Sequence, residues 1–363
     1  RLSREFVSER LFWAGTAWQA LAGPGKHLQG YTLCALFPEN RLDAEIRKMA
    51  LTIVFFMSLA FLFAGSIGYL VSGLFLRPVS ELSTGLEALR RRDTKFRVRS
   101  FQADELGNLA GAFNRMMEDL KEMELARVIQ EALMPSAFPS LPGYSGSVDS
   151  RTASRLGGDY CDVLVLPGGQ ALIVIGDVTG HGVGAALLMA MVKSAVFQFA
   201  EKPGPLPDLI NSLNALVFQT MHKEMLMTFC AVLLDPATHH IQVSNAGHPY
   251  PFLTHAAGVV EEFECPAVPL GASQRSRYKQ VTERDLAEGD CLILYTDGYF
   301  ETLDANGNQY GFVRFRDSFI DLVHASPERI GKTTLERLRG FHTAPELDDD
   351  CTLVIMKREA GKK

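Results

Sequence analysis

The chain has 363 residues and a formal net charge of −6 at pH 7, with 36 Lys and Arg residues against 42 Asp and Glu. This length allows two or more domains, each with its own core. The acidic balance and the lack of a basic stripe with interleaved aromatic residues exclude a general nucleic-acid binder. The first residue is Arg1 rather than Met, so we expect the sequence to be part of a longer protein.

The six cysteines indicate neither a disulfide framework nor a zinc site. Cys34 is the only one N-terminal to the apolar segment described next, and the other five are too widely spaced for a CxxC-type site. Most of those five fall in apolar runs, which predicts buried structural thiols. They are Cys161, Cys230, Cys265, Cys291 and Cys351.

An apolar segment without charged residues runs from Met49 to Leu76. It exceeds the roughly 20 residues that cross a bilayer, so residues 49–76 are predicted to form one transmembrane helix. Seven Lys and Arg residues follow it between Arg77 and Arg99, whereas the twenty residues before it hold three. The positive side of a span usually faces the cytoplasm, which predicts an inner (cytoplasmic) membrane protein with its C-terminal part in the cytoplasm.

Residues 1–48 would then lie outside the membrane. A strand is expected within Leu28–Pro38, followed by a helix over Arg41–Lys48 that leads into the span. This short stretch resembles the membrane-proximal end of an extracytoplasmic Cache-type sensor domain. It implies no particular ligand.

Residues 77–125 show two amphipathic helices joined by a basic connector. The second opens at Asp104-Glu105, and its apolar residues alternate spacings of three and four, a heptad seam typical of a coiled coil or parallel bundle. With Pro78 after the span and the segment DELGNLAGAFNRM from Asp104, this region resembles a HAMP domain, a parallel helical bundle.

The seam does not continue in phase into residues 126–142, which we interpret as a helical linker and domain boundary. Its next core positions would be the polar Arg127 and Gln130, whereas the apolar set reappears from Leu125 and Val128. Such a phase break unwinds or overwinds a coiled coil locally. We therefore predict that the junction transmits HAMP rearrangements to residues 143–363, and that restoring the register near Leu125 locks the output.

From residue 143 onward the pattern alternates short apolar strands with two long helices. Asp235–Thr238 supplies a turn between two of the strands, so at least part of the sheet is antiparallel. The predicted strands are Ala171–Ile175, Phe229–Leu234, Ile241–Ser244, Cys291–Tyr295 and Cys351–Met356, and the predicted helices are Val183–Glu201 and Pro207–Lys223.

Acidic residues accompany several of these strands. In a sheet sandwich, several strand ends can meet at one edge and gather their carboxylates, and crowded carboxylates usually imply cations. All-oxygen ligands favour Mg²⁺ or Mn²⁺. Two such ions could lower the pKa of a bridging water and present it to a phosphorus atom, so that no protein nucleophile is needed. The acids are Asp159 after two glycines, Asp177 where the first strand is expected to stop, Asp297 after CLILY, and Asp349-Asp350 before CTLVIM.

The motifs GGDYCD, GDVTGHG, LYTDGYFE and DDCT, together with ARVIQEALMP and NAGHP, resemble those of the metal-dependent Ser/Thr phosphatases of the PPM (PP2C-like) group, in the RsbU/SpoIIE branch. The resemblance covers about 126–356 and implies an α/β (α+β) fold, an αββα sandwich. It also implies hydrolysis of phosphoserine or phosphothreonine on a protein. By family analogy the substrate is a phosphorylated anti-sigma-factor antagonist or similar STAS-domain protein, and the chain forms a homodimer through HAMP and the linker helix.

The same resemblance implies a site with two Mn²⁺ or Mg²⁺ ions. Their ligands would be Asp159, Asp177, Asp297 and Asp349, joined by the backbone carbonyl of Val178, where the wider family usually has glycine. All the acidic ligand positions are filled, which favours an active enzyme.

Three further residues allow more than one interpretation. His181 could donate to phosphate or act as a general acid, and a solvent-facing loop residue is an equal alternative. Arg155 is a candidate substitute for the phosphate-binding arginine of eukaryotic relatives. His248, in NAGHP, is predicted to be structural, because this sequence favours a tight turn.

Two other functions compete with the phosphatase. A non-catalytic partner-binding module on the same fold would show no metal-dependent turnover. A diguanylate cyclase would need GGDEF or GGEEF, and Tyr160-Cys161 do not supply the required acid.

Overall fold

The strands and helices of this computed structural model lie in residues 7–24, 31–91, 93–99, 104–154, 156–342, 344 and 347–360, which are the residues it describes. They divide into two units, Arg1–Met117 and Glu118–Lys363.

The N-terminal unit begins with an antiparallel sheet of three strands in the order β1-β2-β3. These are β1 (Val7–Trp13), β2 (Thr16–Pro24) and β3 (Thr32–Pro38). The strand expected within Leu28–Pro38 is present as β3, and its residues 28–30 lie outside the described part. Strands β1 and β2 were not predicted, because a hairpin that is exposed or half-buried over most of its length lacks the apolar run that marks a buried strand.

A long helical stretch follows without a break. Helix α1 (Glu39–Val71) includes the predicted helix Arg41–Lys48, passes through a π-helical turn at Ser72–Leu76, and continues as α2 (Arg77–Arg90). Residues 43–90 are long and apolar enough to cross a membrane, and none of their most apolar window is buried in the protein. Exposed Phe, Leu and Ile side chains at this density suit a lipid environment.

Helix α3 (Glu105–Leu133) completes the N-terminal unit and continues into the C-terminal one. Asp104 caps it by accepting a hydrogen bond from the Gly107 amide at 2.9 Å. Helices α2 and α3 approach closely at Gly85, where an added Cβ would lie 2.9 Å from the Phe113 ring. Asn114 of α3 fixes the connector by bonding both the amide and the carbonyl of Val98 at 2.9 and 2.8 Å.

In the C-terminal unit, two five-stranded sheets have the orders β10-β9-β12-β13-β4 and β11-β8-β7-β6-β5 among the described residues. Every pairing between these strands is antiparallel. The strands are β4 (Tyr144–Arg151), β5 (Tyr160–Val165), β6 (Ala171–Val178), β7 (Met227–Asp235), β8 (His240–Ala246), β9 (Phe252–Thr254), β10 (Val260–Glu262), β11 (Thr282–Asp285), β12 (Cys291–Tyr295) and β13 (Cys351–Arg358).

Helices cover the outer face of each sheet. Helices α4 (Val183–Glu201) and α5 (Leu206–Met221) pack on the β5–β8 sheet, where their buried apolar residues form one core. A second core lies between the sheets, and a third joins the β12–β13 sheet to α6 (Gly298–Glu301), α7 (Phe312–Asp317) and α8 (Pro327–Phe341). These layers confirm the predicted αββα sandwich. Helix α4 is also apolar enough to cross a membrane, but its Leu188, Val192 and Val196 are fully buried in the core.

The predicted strands are present, and most extend further than expected. Strand β6 continues through Gly176 and Asp177 to Val178, because its ladder with β7 continues to the pair Val178–Met227. The expectation that this strand stops at Asp177 was therefore wrong. Strands β4, β5 and β9–β11 were missed, since they are short, polar or partly exposed. The predicted helix Pro207–Lys223 ends earlier, at Met221, because His222 and Lys223 adopt positive φ angles.

The cysteines agree with the sequence analysis. Five of the six thiols are buried, only Cys34 is exposed, and none forms a disulfide.

Candidate active site

Asp159 and Asp177 come together at one end of the β5–β8 sheet. Asp159 directly precedes β5, whose first residue, Tyr160, pairs with Gly176 of β6. Asp177 is the next residue of β6 and pairs with Thr228 of β7. Antiparallel pairing thus brings the start of one strand beside the end of the next, which the linear spacing of 18 residues could not show.

Asp297, Asp349 and Asp350 come together at one end of the other sheet. Strand β12 ends at Tyr295, which pairs with Leu353 of β13. Asp297 follows β12, while Asp349 and Asp350 precede β13, so the antiparallel pair brings these acids to a common edge.

Thr296 joins the two edges. Its hydroxyl donates to Asp159 Oδ2 at 2.9 Å and accepts from the Thr352 amide at 2.9 Å. Its own amide donates to the Thr352 carbonyl at 3.0 Å. A residue between β12 and Asp297 therefore holds the carboxylate of the opposite sheet.

Burial, together with the charges of neighbouring acids, raises the pKa values of several carboxylates at this edge. Burial raises the pKa of Asp159 well above its usual range, and the charges of Asp177 and Asp350 raise it further. Burial also raises the pKa of Asp177, with additional contributions from Asp297, Asp349 and Asp350. The pKa of Asp297 is raised to about 6, first by burial and then by Glu301 and Asp349.

This mutual repulsion is what a divalent cation would relieve, and the oxygen-only donors match Mg²⁺ or Mn²⁺. The residues present therefore fit such ions in charge and donor type. Within the described ranges, however, no three Asp, Glu, His or Cys side chains are already grouped so that they could hold a metal ion. The acids share one edge without forming a closed set of ligands.

Close backbone packing explains the two glycines before Asp159. A Cβ on Gly157 would lie 2.1 Å from Asp350 Oδ2, and one on Gly158 would lie 2.7 Å from the Val178 carbonyl oxygen and 3.1 Å from Asp177 Oδ1. The carbonyl of Val178 therefore lies beside the acidic edge, as the metal assignment requires. Its side chain is buried in the helix-facing core.

Asp350 has a structural role that the sequence analysis did not assign. Its carboxylate accepts hydrogen bonds from the amides of Ala153 and Gly158, both at 2.8 Å, and Asp350 is 6% exposed. The adjacent Asp349 is exposed and accepts from the Asp350 amide at 2.8 Å. The two consecutive aspartates before β13 were the signal in the sequence for a second functional acid. Only their contacts in the structure show that Asp350 holds the backbone and that Asp349 is the exposed one.

The remaining candidates behave differently. His181 is exposed in the loop after β6. Arg155 lies outside the described residues. His248 is buried, as its predicted structural role requires, with Nδ1 2.8 Å from the Thr228 hydroxyl and Nε2 3.0 Å from the Tyr295 carbonyl oxygen.

Comparison with protein families decides the classification. The family model described as Stage II sporulation protein E (SpoIIE) matches residues 167–359, which is more than half of the chain. The chain belongs to the SpoIIE family. A separate model, the HAMP domain, matches residues 70–122, so the predicted HAMP domain is confirmed.

Curated relatives of this SpoIIE-family chain include named phosphatases. It is 28% identical over 246 residues to phosphoserine phosphatase RsbU of Bacillus subtilis (strain 168), covering 66% of this chain and 70% of RsbU. It is 23% identical over 380 residues to Protein IcfG of Synechocystis sp. (strain ATCC 27184 / PCC 6803 / Kazusa), covering 92% of this chain and 60% of IcfG. The C-terminal unit is thus a protein serine/threonine phosphatase domain of a signalling protein.

Solved structures agree on the fold. The RsbU and RsbW domains of Rv1364c from Mycobacterium tuberculosis superpose with a TM-score of 0.56 at 27% identity, covering 64% of each chain. The SiaA-PP2C domain of Pseudomonas aeruginosa superposes with a TM-score of 0.59 at 19% identity, covering 67% of this chain and 98% of that domain. The second likeness shows the PP2C-like fold alone.

Proposed function

We propose that this chain is a membrane-anchored receptor whose cytoplasmic SpoIIE-family domain hydrolyses phosphoserine or phosphothreonine on a regulatory protein. The observation that carries the proposal is the meeting of acidic strand ends from two sheets at one edge, joined by the hydrogen bond from Thr296 to Asp159. An edge that gathers carboxylates of raised pKa is typical of a catalytic centre rather than of a structural surface.

We assign metal binding to Asp159, Asp177, Asp297 and Asp349, with the carbonyl of Val178 as a further ligand. Two Mn²⁺ or Mg²⁺ ions would supply a water of lowered pKa and offset the charge of the phosphoryl oxygens when bound. Thr296 and Asp350 orient the segment that carries Asp159. Exposed His181 would contact the substrate phosphate from the loop after β6.

The substrate would be a phosphorylated STAS-type anti-sigma-factor antagonist. The names of RsbU and of the RsbU and RsbW domains among the similar proteins support a partner from such a regulatory system. Residues 49–76 would span the inner membrane once, and a homodimer would form through HAMP and the linker helix. The boundaries 1–48, 77–125, 126–142 and 143–363 stay part of this proposal.

Substitution of the acids tests the catalytic assignment. Asp177→Asn and Asp297→Asn remove one negative ligand each, and we expect each to lower Mn²⁺-dependent release of phosphate from a phosphoserine protein at least about 100-fold. The measurement uses the full chain in phospholipid nanodiscs, over a range of Mn²⁺ and Mg²⁺ concentrations.

Asp317→Asn is the matched control, because Asp317 is exposed on α7 and pairs with its neighbour Arg316. It should retain full activity. Equal activity in the wild type and both acid variants would contradict the metal assignment. A wild-type chain that binds a phosphoprotein without hydrolysing it at any metal concentration would favour the non-catalytic alternative.

A further inference from the structure

The linker helix contacts the active-site edge through one buried amide. Gln130 of α3 donates from Nε2 to the Gly157 carbonyl oxygen at 2.8 Å, and its Oε1 accepts from the Gly157 amide at 3.2 Å. The side chain thus pairs with both backbone polar groups of one glycine, as a neighbouring strand would.

Burial distinguishes this contact from surface hydrogen bonding. Gln130 is 5% exposed, whereas Ile129 before it is 54% exposed. Gly157 is also buried. Of the two polar residues that interrupt the apolar seam in the sequence, Gln130 is therefore the one that is buried, and an apolar residue there would leave two buried backbone groups without partners.

The segment that Gln130 holds leads directly to Asp159. Gly157 lies two residues before this acid, and Gly158 is held from the other side by the Asp350 carboxylate. The preceding carbonyl, of Leu156, accepts from the Gly182 amide in the loop after β6. Gln130 is the member of this hydrogen-bonded set that belongs to the helix entering from the HAMP region.

We propose that Gln130 is a positioning residue that couples the linker helix to the metal-binding edge. The register of α3 sets the Gly157–Asp159 segment through the Gln130 amide, and a rotation of α3 withdraws the amide and weakens metal binding. This inference rests on the proposed function, since it concerns regulation of the same metal site.

The test is Gln130→Leu, a change of similar size that removes both hydrogen bonds. In the full chain in nanodiscs, we expect the Mn²⁺ concentration that gives half of the metal-induced rise in Tm to increase at least about tenfold, as is common for residues that orient metal ligands. Amide exchange in peptides covering residues 156–160, measured without metal by mass spectrometry, should become faster. The KM for the phosphoprotein should change little.

Gln198→Leu is the matched control, because Gln198 is an exposed amide on α4, and it should leave all three measurements unchanged. If Gln130→Leu loses its fold, Gln130→Glu serves instead, since it keeps the acceptor for the Gly157 amide and loses the donor. A variant with lowered Tm but unchanged Mn²⁺ midpoint and exchange would overturn the inference. Absence of hydrolysis in the wild type would count against the proposed function, while the exchange and Tm measurements would still decide the role of Gln130.

Discussion

His248 shows how a residue with catalytic potential acquires a structural role. Its ring lies where three segments meet: Thr228 of β7, the turn after β8, and the end of β12. With Nε2 donating to the Tyr295 carbonyl, Nδ1 accepts from the Thr228 hydroxyl, which requires a neutral ring. Burial lowers the pKa of His248 to about 3, so the ring does not titrate near neutral pH in the folded protein.

This burial predicts a pH-dependent stability. In the unfolded chain His248 takes up a proton below about pH 6.5, whereas the folded ring stays neutral down to about pH 3, so the free energy of unfolding falls as pH decreases through this window. The expected loss at pH 5 is about 2 kcal/mol relative to pH 7. Pulse proteolysis in urea at several pH values measures it, and His248→Gln should lack this contribution.

The contribution of His248 is obtained only from the difference between the pH-dependent free energies of unfolding of the wild type and the His248→Gln variant. In the metal-free protein the raised pKa values of Asp159 and Asp177 have the opposite effect, because a folded carboxyl of raised pKa holds its proton more tightly and gains stability as pH falls. An identical pH slope in wild type and His248→Gln would show that the ring does not carry the dependence.

At the scale of elements, α3 is the helix that the proposed coupling between the HAMP domain and the acidic edge would use. It runs unbroken from Glu105 to Leu133. In its first part Phe113 and Met117 are buried, and in its last part Gln130 is buried, while Leu125 and Val128 between them are exposed. The buried face of the helix thus changes along its length. That the phase break in the sequence transmits HAMP rearrangements within a dimer stays a prediction.

Insertions into α3 test the phase hypothesis. Two residues added after Glu124 bring Leu125 and Val128 onto the heptad seam, and we expect the activity of the full chain to become insensitive to Phe113→Ala, which removes a buried ring near the start of α3. Seven added residues keep the existing phase, because they make about two turns, and should preserve the response. Phosphate release from the phosphoprotein in nanodiscs is the measurement. A two-residue insertion that still responds to Phe113→Ala would refute the hypothesis.

At the scale of the whole molecule, an apolar helical stretch connects two parts of the chain. The HAMP match begins within this stretch, at residue 70, and the SpoIIE-family match lies after it, while a small sheet precedes it. The positive residues after the helix predict that the phosphatase is cytoplasmic and that the sheet faces the other side. Cys34 in β3 is the only exposed cysteine, which supplies a natural probe of this topology.

Labelling of Cys34 tests the orientation. In intact spheroplasts a membrane-impermeant maleimide should modify the wild-type chain, and Cys34→Ser should abolish labelling. A control chain with Cys34→Ser and Ser194→Cys carries its exposed thiol in the phosphatase domain, on α4, and should react only after lysis. Labelling of this control in intact spheroplasts, without labelling of Cys34, would reverse the predicted orientation.

Much of the architecture was predictable because it depends on local patterns. An uncharged run indicates the span and a heptad seam indicates the HAMP helices, while the sandwich was implied by the resemblance of the acidic motifs to those of the PPM phosphatases. Helix α4 and strand β12 were predicted with their observed bounds. All five residues of β12 are buried, and α4 is a mainly apolar run that begins after Gly182 and ends before Lys202. Exposed strands such as β1 and β11 were not predicted, because no such pattern marks them.

The sequence by itself determined which residues are acidic, where the chain is apolar, and in which order the family motifs occur. The tertiary structure alone decided how these features meet. Antiparallel pairing brings Asp159 beside Asp177, and Thr296 joins the two sheets. The Asp350 carboxylate accepts hydrogen bonds from backbone amides, while its neighbour Asp349 is exposed. In the sequence, Gln130 is only a polar residue at an apolar heptad position. In the structure it is hydrogen-bonded to Gly157, which lies 27 residues later in the chain. The physical reason is that side-chain partners depend on strand register and packing, which bring together residues far apart in the chain.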